Sequence, residues 1–359
     1  MEAAERKEGF EMKRTFATAI VACFFILVGA APALACGGLV NPNGTVTLLR
    51  TTTLAGYRYG VEHYITSFKF KGGGAKFGSI VPLPGVPSKV RRAGDWTLQR
   101  LVREVRPQPE AVSADSGGAP NAARRAKVIF ETEIDSLKIQ IVKGGGRAVG
   151  RWAKKQGFSL TPDAPEVLQF YAKRSPIFMA VRFDPKDAKK SKKRKGDGVP
   201  IHLNIRTDDP WVPLRILGLG QSKDTVVKAD VFLLTKREPA ILPEPEPAGS
   251  EEGMILERSE AASRSLLRDL RSDKGGMQWV HKSKMWLTYL KLKVPAEDLI
   301  YDLATNVHGG EPSVEDTGTD TSDEPSGSPQ QAALWNWAAA SMFGLGAIAL
   351  TNKVLSRRV

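Results

Sequence analysis

Cysteine and histidine are scarce in this chain, which excludes several classes of protein. The 359 residues include two cysteines and four histidines. Two cysteines cannot build the framework of a disulfide-rich secreted domain. The histidines lie far apart, at His63, His202, His281 and His308, without the short spacings of a zinc site. We therefore expect no metal site.

Recognisable nucleotide and catalytic motifs are also lacking. The pattern K-G-G-G-x-x-x-G occurs twice, at 71–78 and 143–150, but its spacing is that of neither a dinucleotide-binding loop nor a P-loop. We interpret both copies as tight turns in which glycine adopts positive φ. No G-x-S-x-G nucleophile elbow is present. The sequence therefore predicts no cofactor and no catalytic residue.

The overall composition is ordinary for a globular protein. Hydrophobic residues make up 42% of the chain and charged residues 25%. This composition excludes a collagen-like chain, a wholly disordered chain and a polytopic membrane protein. The length predicts about two domains.

The N-terminal segment has the features of a secretory signal. Residues 15–35 carry no charge, follow Lys13 and Arg14, and end in Ala33-Leu34-Ala35. The small residues Ala33 and Ala35, with one residue between them, suit signal peptidase, so we predict a signal peptide over 1–35. The eleven residues before Met12 fit the pattern badly, which favours Met12 as the true start. An uncleaved N-terminal anchor is the alternative.

A second uncharged segment lies near the C-terminus, at 332–350. As a helix its 19 residues would span about 28 Å, close to the thickness of the hydrocarbon core. We predict a transmembrane helix over 331–352 and a basic cytoplasmic tail over 353–359. The chain would then be a single-pass type I protein of the cell membrane, with its bulk extracytoplasmic. A buried core helix, or a sorting signal removed after export, are alternatives.

Between these segments we predict an α+β, strand-rich ectodomain with a few inserted helices. Its main part would span 36–240, followed by a Pro/Glu linker at 241–253, a small helix-strand part at 254–305 and an acidic disordered stalk at 306–330. Alternating apolar residues predict strands at 61–70, 128–134, 137–141, 177–183, 199–205, 226–234 and 285–294. Helical spacing predicts helices at 147–156, 163–175 and 256–271.

Charge is concentrated in the predicted ectodomain. Residues 36–305 hold 45 lysines and arginines against 29 aspartates and glutamates, a formal charge of +16. Seven bases fall within one decapeptide: Lys186, Lys189, Lys190, Lys192, Lys193, Arg194 and Lys195. We interpret this basic block as a contact for envelope polyanions, either anionic lipids or wall polymers. Because no aromatic residue is interleaved with the bases, no specific nucleic acid is expected. A solvated loop is the alternative.

Cys36 would be the first mature residue and the one cysteine left after cleavage. It could be lipidated, pair with another molecule or bind metal through its thiolate, or remain a simple thiol. The other cysteine, Cys23, lies inside the predicted signal.

Several short strings occur in a characteristic order. They are Ala35-Cys36-Gly37-Gly38, a strand leading into 81–85, a helix with Arg151-Trp152 that closes at Gly157-Phe158, a helix ending near Tyr171, a strand opened by Pro200, and Pro213-Leu214-Arg215. In this order they resemble the exported bacterial proteins of the domain-of-unknown-function family 2330, over most of 36–240. The resemblance implies an exported location and one main domain, and it supplies no functional residue.

These observations favour a non-enzymatic binding or scaffolding module with a basic surface. The alternative is a cell-envelope hydrolase or maturation enzyme whose site is assembled from dispersed residues. A basic face would support the first hypothesis, and a deep pocket with convergent carboxylates or histidines would support the second.

Overall fold

The computed structural model describes residues 39–40, 47–71, 77–94, 96–105, 127–134, 137–158, 160–183, 199–273 and 275–319. The predicted signal peptide, Cys36, the basic block at 186–195, the predicted helix at 331–352 and the tail at 353–359 lie outside these ranges. Within them, no helix combines the length and apolar character needed to cross a bilayer.

Strands dominate the described part of the chain. They are β1 (Leu39–Val40), β2 (Thr47–Arg58), β3 (Val61–Lys71), β4 (Phe77–Leu83), β5 (Pro87–Arg92), β6 (Lys127–Ile134), β7 (Leu137–Lys143), β8 (Ile177–Phe183), β9 (Ile201–Arg206), β10 (Trp211–Val212), β11 (Val226–Thr235), β12 (Ala240–Leu242), β13 (Gly253–Ala261), β14 (Trp286–Pro295) and β15 (Leu303–Asn306). The helices are α1 (Thr97–Val105), α2 (Gly146–Lys155), α3 (Ala164–Arg174) and α4 (Arg264–Ser272), with 3₁₀ turns at Arg215–Gly218 and Glu315–Thr317.

The strands form three sheets. The largest has seven strands in the order β13-β14-β11-β2-β3-β9-β5, so β13 and β5 are its edges. A five-stranded sheet has the order β1-β4-β8-β7-β6, and a small sheet has the order β10-β15-β12. In the seven-stranded sheet β2 and β11 run parallel, whereas the other adjacent strands run antiparallel. The predicted α+β class is confirmed.

The seven-stranded sheet is covered on both faces. Successive side chains of a strand point to opposite faces. Along β11, Val231 and Leu233 accordingly belong to one hydrophobic cluster, and Phe232 and Leu234 to another. The first cluster includes the five-stranded sheet, α2 and α3, and the second includes α1 and α4. Such two-sided burial explains why residues 231–234 of β11 are all apolar.

The predicted strands and two of the three predicted helices are confirmed. The helix predicted over 256–271 is wrong, because residues up to Ala261 belong to β13 and only Arg264–Ser272 is helical. Two observations explain the boundary. β13 pairs with β14 through Ala261, opposite Trp286. The Ser263 hydroxyl then accepts from the N–H of Leu266 at 3.1 Å and begins α4.

The structure also differs from the predicted linker and stalk. β13 and β14, on the far side of 241–253, are strands of the same sheet as β2 and β3. The first part of the predicted stalk is likewise folded against the body, since Asp302 donates its N–H to the carbonyl of Thr317. Asn306 accepts from the N–H groups of three following residues at 2.9–3.1 Å. The prolines and acidic residues of these two segments predicted a linker and a stalk, but hydrogen bonding of the backbone determines the structure.

The second glycine triplet does not form the predicted positive-φ turn. None of Gly144, Gly145 and Gly146 has positive φ. Instead, a Cβ on Gly146 would lie 2.4 Å from the backbone nitrogen of Gln169. Glycine is required there because α2 and α3 approach closely. The first triplet, residues 72–74, lies outside the described ranges.

Candidate functional site

The basic block, residues 186–195, is joined to two described strands. It follows β8, which ends at Phe183, and precedes β9, which begins at Ile201. Ile201 lies opposite Arg92 of β5. Five residues lie between Lys195 and Ile201, so the two positions can be at most about 20 Å apart. The block is therefore connected through a short segment to β9, the strand that pairs with β5.

That edge is itself basic. β5 has the sequence Pro-Ser-Lys-Val-Arg-Arg, with no acidic residue. We call Lys89, Arg91 and Arg92 the basic edge. Lys89 and Arg92 are exposed and Arg91 is half-buried. Basic residues on an edge strand also discourage other strands from pairing with it, so charge here has a structural use as well.

Arg91 is held by three neutral groups. Its Nε and Nη2 lie 3.3 and 3.2 Å from Nδ1 of His202, and Nη2 lies 3.3 Å from both Oδ1 of Asn204 and the carbonyl oxygen of Gly276. Hydrogen bonds from an arginine to a carboxylate are usually about 2.7–2.9 Å long. Burial lowers the pKa of Arg91 from its ordinary value. The guanidinium is therefore fixed in position without a strong partner.

His202 and His63 form a buried histidine pair behind Arg91. Nδ1 of His63 lies 3.1 Å from Nε2 of His202, and the ring centroids are 5.3 Å apart. Burial, with the nearby charge of Arg91, lowers the pKa of each histidine to about 3. Both rings are therefore neutral at neutral pH, and one N–H joins them.

Arg91 determines which nitrogen of His202 carries that proton. The two Arg91 nitrogens are donors, so Nδ1 of His202 must accept and its Nε2 must donate to His63. The carbonyl oxygen of Gly275, 3.3 Å from Nδ1, competes for the opposite tautomer. Two donors against one acceptor favour the chain of bonds from Arg91 through His202 to His63.

A loop at 275–280, which we call the Trp279 loop, covers the histidine pair. The Trp279 indole stacks on His63 with centroids 4.2 Å apart and planes 6° from parallel. A Cβ on Gly56 would lie 2.0 Å from this ring, so the indole occupies the space that a side chain would take. Arg58 donates to the carbonyl of Trp279 at 2.6 Å, and Arg271 donates to two further loop carbonyls.

A buried acid, Glu62, lies on the face of the sheet opposite the histidine pair. Glu62 is fully buried, and its two oxygens have no hydrogen-bond partner in the described chain. Burial raises its pKa to about 8, although the nearby backbone N–H of Trp211 offsets part of the rise. Glu62 and His63 are neighbours on β3 and face opposite sides, as their spacing predicts. They cannot act on one substrate.

Asp302 is a second buried carboxyl, and it is well bonded. It accepts from the hydroxyl of Tyr171 at 2.7 Å and from the backbone N–H groups of Leu214 and Arg215 at 2.7 and 3.1 Å. Nη1 of Arg174 lies 3.6 Å from its other oxygen. Burial raises its pKa to about 6 even so. This network connects α3, a 3₁₀ turn and β15, which is a structural task.

The cationic groups of Arg91 and Lys89 at the β5 edge are able to hold an anion. No group of three or more histidine, cysteine, aspartate or glutamate side chains able to hold a metal occurs in the described ranges. A hydroxyl-lined cavity between the two large sheets measures about 20 Å³, room for about one water. The sequence patterns singled out 186–195 but missed Arg91, although three bases in six residues of an acid-free segment were a readable signal.

Several known proteins are similar to this chain. One chain of the crystal structure of the caspase-8/P35 complex matches with 9% identity and a TM-score of 0.34, covering 74% of this chain and 94% of that one. Baculovirus P35 matches with 10% identity and a TM-score of 0.31, covering 73% and 92%. Similarity at this level assigns neither a fold nor a function. No curated protein matches the chain significantly.

A family model gives the clearer comparison. The model of domain-of-unknown-function family 2330, described as an uncharacterized protein conserved in bacteria, matches residues 30–238. The matched region begins before the first described strand and ends just after β11, and it includes Arg91 and the histidine pair. The expected resemblance is confirmed, and the chain belongs to this bacterial family.

Proposed function

We propose that the protein is a membrane-anchored extracytoplasmic binding module whose basic surface contacts anionic polymers or lipids of the cell envelope. The predicted signal peptide and the predicted helix at 331–352 would place the body outside the membrane. The observation that carries the proposal is the position of β5. An acid-free edge strand with three bases stands beside the attachment point of a block with seven more.

The short connection between the block and β9 would allow the two basic segments to act as one electrostatic surface. Charges within about a Debye length of one another, roughly 8–10 Å at physiological salt, attract a polyanion together. The tether between Lys195 and Ile201 lets the block approach Arg92 within that distance. A polymer with regularly spaced negative charges would contact both segments and release its counterions from both.

The test is co-sedimentation of the full chain, in non-ionic detergent, with detergent-washed wall material from bacterial cells. The salt concentration is varied, because binding by charge weakens steeply as salt rises. One variant changes all seven bases of 186–195 to Gln. A second changes Lys89 and Arg92 to Gln. The matched control changes Lys223 and Lys236, which lie away from β5, to Gln.

We expect wall binding to fall with salt, to fall most in the block variant and to fall partially in the edge variant. The control should bind as the unaltered protein does. Binding that ignores salt, or equal losses in all three variants, would contradict the proposal. Membrane anchoring is tested separately by deleting 331–359, which should release the protein from the membrane fraction of cells.

A further inference from the structure

We propose that Arg91 is the specific anion-binding residue of the basic edge and that its ligand is a phosphate group. The inference rests on the proposed function and deepens it, because it names the chemical group that the surface binds. Lys89 is the second contact in this proposal.

The charge of Arg91 is not compensated by the protein. No carboxylate in the described chain lies within ion-pair distance of its guanidinium. Arg100, by contrast, is bonded to Glu104 at 2.6 Å and to Asp269 at 3.0 Å. A half-buried guanidinium that has lost part of its water and gained no carboxylate gains more than an exposed one from an external anion.

Arg91 also presents a free side to that anion. Nε and Nη2 of Arg91 make the hydrogen bonds to His202, Asn204 and Gly276. Nη1 has no hydrogen-bond partner among the residues that the structure describes. Nη1 is not completely buried, so an external anion can reach it. Since the other two nitrogens are anchored, Nη1 has a defined position, and little side-chain entropy is lost when a ligand binds.

The histidine pair explains how the guanidinium is kept in place. A neutral His202 accepts from Arg91, and His63 behind it accepts from His202. On the other side, a Cβ on Gly276 would lie 2.5 Å from the central carbon of the guanidinium, so this backbone packs directly on Arg91. His63 and His202 are positioning residues in this site and do not touch the ligand.

The local charge favours phosphate over a carboxylate. Lys89 lies two residues before Arg91 on the same face of β5, opposite Asn204, and its side chain is exposed. Successive residues on one face of a strand are about 7 Å apart, within reach of a flexible lysine. Two cations match a group that carries up to two negative charges and three acceptor oxygens. The phosphate could belong to a lipid headgroup or to a soluble ester.

The experiment follows the arginine Nε–H signals of the full chain by NMR, in non-ionic detergent, during titration with inorganic phosphate. Acetate at matched ionic strength is the comparison. We expect a saturable shift of the Arg91 signal with phosphate and a weaker response to acetate. Arg91→Lys keeps the charge but loses the fixed fork, and it should weaken binding at least tenfold.

Arg258→Lys is the matched control, because Arg258 lies on the opposite edge of the same sheet and is paired with Glu260 at 3.0 Å. It should bind phosphate as the unaltered protein does. The proposal is overturned if the Arg91 signal follows only ionic strength, or if Arg91→Lys and Arg258→Lys bind phosphate equally. The titration of the unaltered protein decides the first point even if a variant fails to fold.

Two further titrations distinguish the sources of phosphate. Glycerol phosphate represents a soluble ester, and phosphatidylglycerol in mixed micelles represents a lipid headgroup. Whichever shifts Arg91 at the lower phosphate concentration is the favoured source. A saturable Arg91 shift together with unaltered wall binding in the block variant would support this inference and reject the proposed function. Wall binding that depends on the block, without any shift of the Arg91 signal, would support the proposed function and reject this inference.

Discussion

The two edges of the seven-stranded sheet treat their basic residues differently. At the β13 edge, Arg258 is paired with Glu260, and Lys291 of the adjacent β14 is paired with Glu257. At the β5 edge, Arg91 is surrounded by an imidazole, an amide and a carbonyl. Charges paired within the protein offer little to a partner, whereas an unpaired cation at an edge remains available to an external anion.

The interior of the same sheet contains an ionisable group that is buried and has no hydrogen-bond partner. Glu62 lies on β3, which β9 separates from β5. It is fully buried, and its carboxylate oxygens have no hydrogen-bond partner among the described residues. Burial favours its neutral form, so the group gives up its charge near neutral pH. A guanidinium cannot do so, because its pKa is far too high. The exposure of an unpaired group and its pKa therefore decide whether it becomes neutral or keeps a charge that can bind an external ion.

The largest effect should come from removing the unpaired interior acid. The folded-state pKa of Glu62, about 8, exceeds its ordinary value of 4.5. Its contribution to stability is therefore full below pH 4.5 and is lost as the pH rises through 8. We expect the unfolding free energy to fall with rising pH by on the order of 5 kcal/mol from this group. Glu62→Gln should abolish most of that fall.

Urea unfolding at a series of pH values between 5 and 9 measures this difference. Glu257→Gln, at the paired β13 edge, is the control and should leave the alkaline fall intact. An equally steep fall in Glu62→Gln would show that Glu62 is charged or solvated in the folded protein.

A smaller loss is expected from breaking a paired interior carboxyl. Tyr171 donates to Asp302 and accepts from the N–H of Ile216 at 2.8 Å. Tyr171→Phe removes both bonds and should cost about 2 kcal/mol at pH 8. The cost should shrink at pH 5, because Asp302, with its pKa raised to about 6, is then protonated. Unfolding at the two pH values checks this, and Tyr57→Phe, which loses one neutral bond, is the comparison. A cost that is the same at both pH values would exclude a charged Asp302.

Supplying the missing acid should make the β5 edge resemble the β13 edge. Lys89→Glu puts a carboxylate on the face of β5 that carries Arg91. We expect the two to pair and phosphate binding to weaken about tenfold, equivalent to roughly 1.4 kcal/mol. The phosphate titration measures this change. Lys223→Glu alters net charge equally at a distant exposed site, and an equal loss there would indicate a general charge effect.

The smallest effect is expected from the reverse change at the other edge. Glu260→Gln removes the partner of Arg258, at a cost of about 0.5 kcal/mol because both side chains are largely exposed. The freed arginine has no fixed framework comparable to the histidine pair. Phosphate affinity at Arg258 should therefore remain at least tenfold below that at Arg91. Equal affinity at the two positions would mean that the framework is unnecessary.

The sequence predicted elements far better than it predicted the site. Alternating apolar residues located β3, β8, β11 and β14 nearly to the residue, because a buried strand needs that spacing wherever it lies. The helix predicted over 256–271 failed where pairing between distant strands determined the structure. The spacing of Leu266, Leu267 and Leu270 is helical, but the residues before Ser263 pair with β14, about 30 residues later in the chain.

The histidine pair could not be read from one sequence. His63 and His202 are 139 residues apart and become neighbours only because β3 pairs with β9. From their spacing alone, the four histidines predicted only that no metal site is present. The basic character of β5 was readable from the sequence. The special position of Arg91 was not, because it depends on the absence of a nearby carboxylate, which a linear pattern does not record. The predicted contact at 186–195 and the role of Cys36 stay predictions.

The parallel pair in the sheet affects the order in which the chain can fold. β2 lies between β3, which follows it directly, and β11, where Ala229 lies opposite Thr51. A chain synthesised from its N-terminus can form the β2–β3 hairpin early, but the other side of β2 stays an open edge until residue 235 has emerged. Such late, long-range closure slows folding and exposes unpaired backbone to other chains. A chaperone that covers β2 during synthesis should therefore raise the yield of this protein more than one that acts on the finished chain.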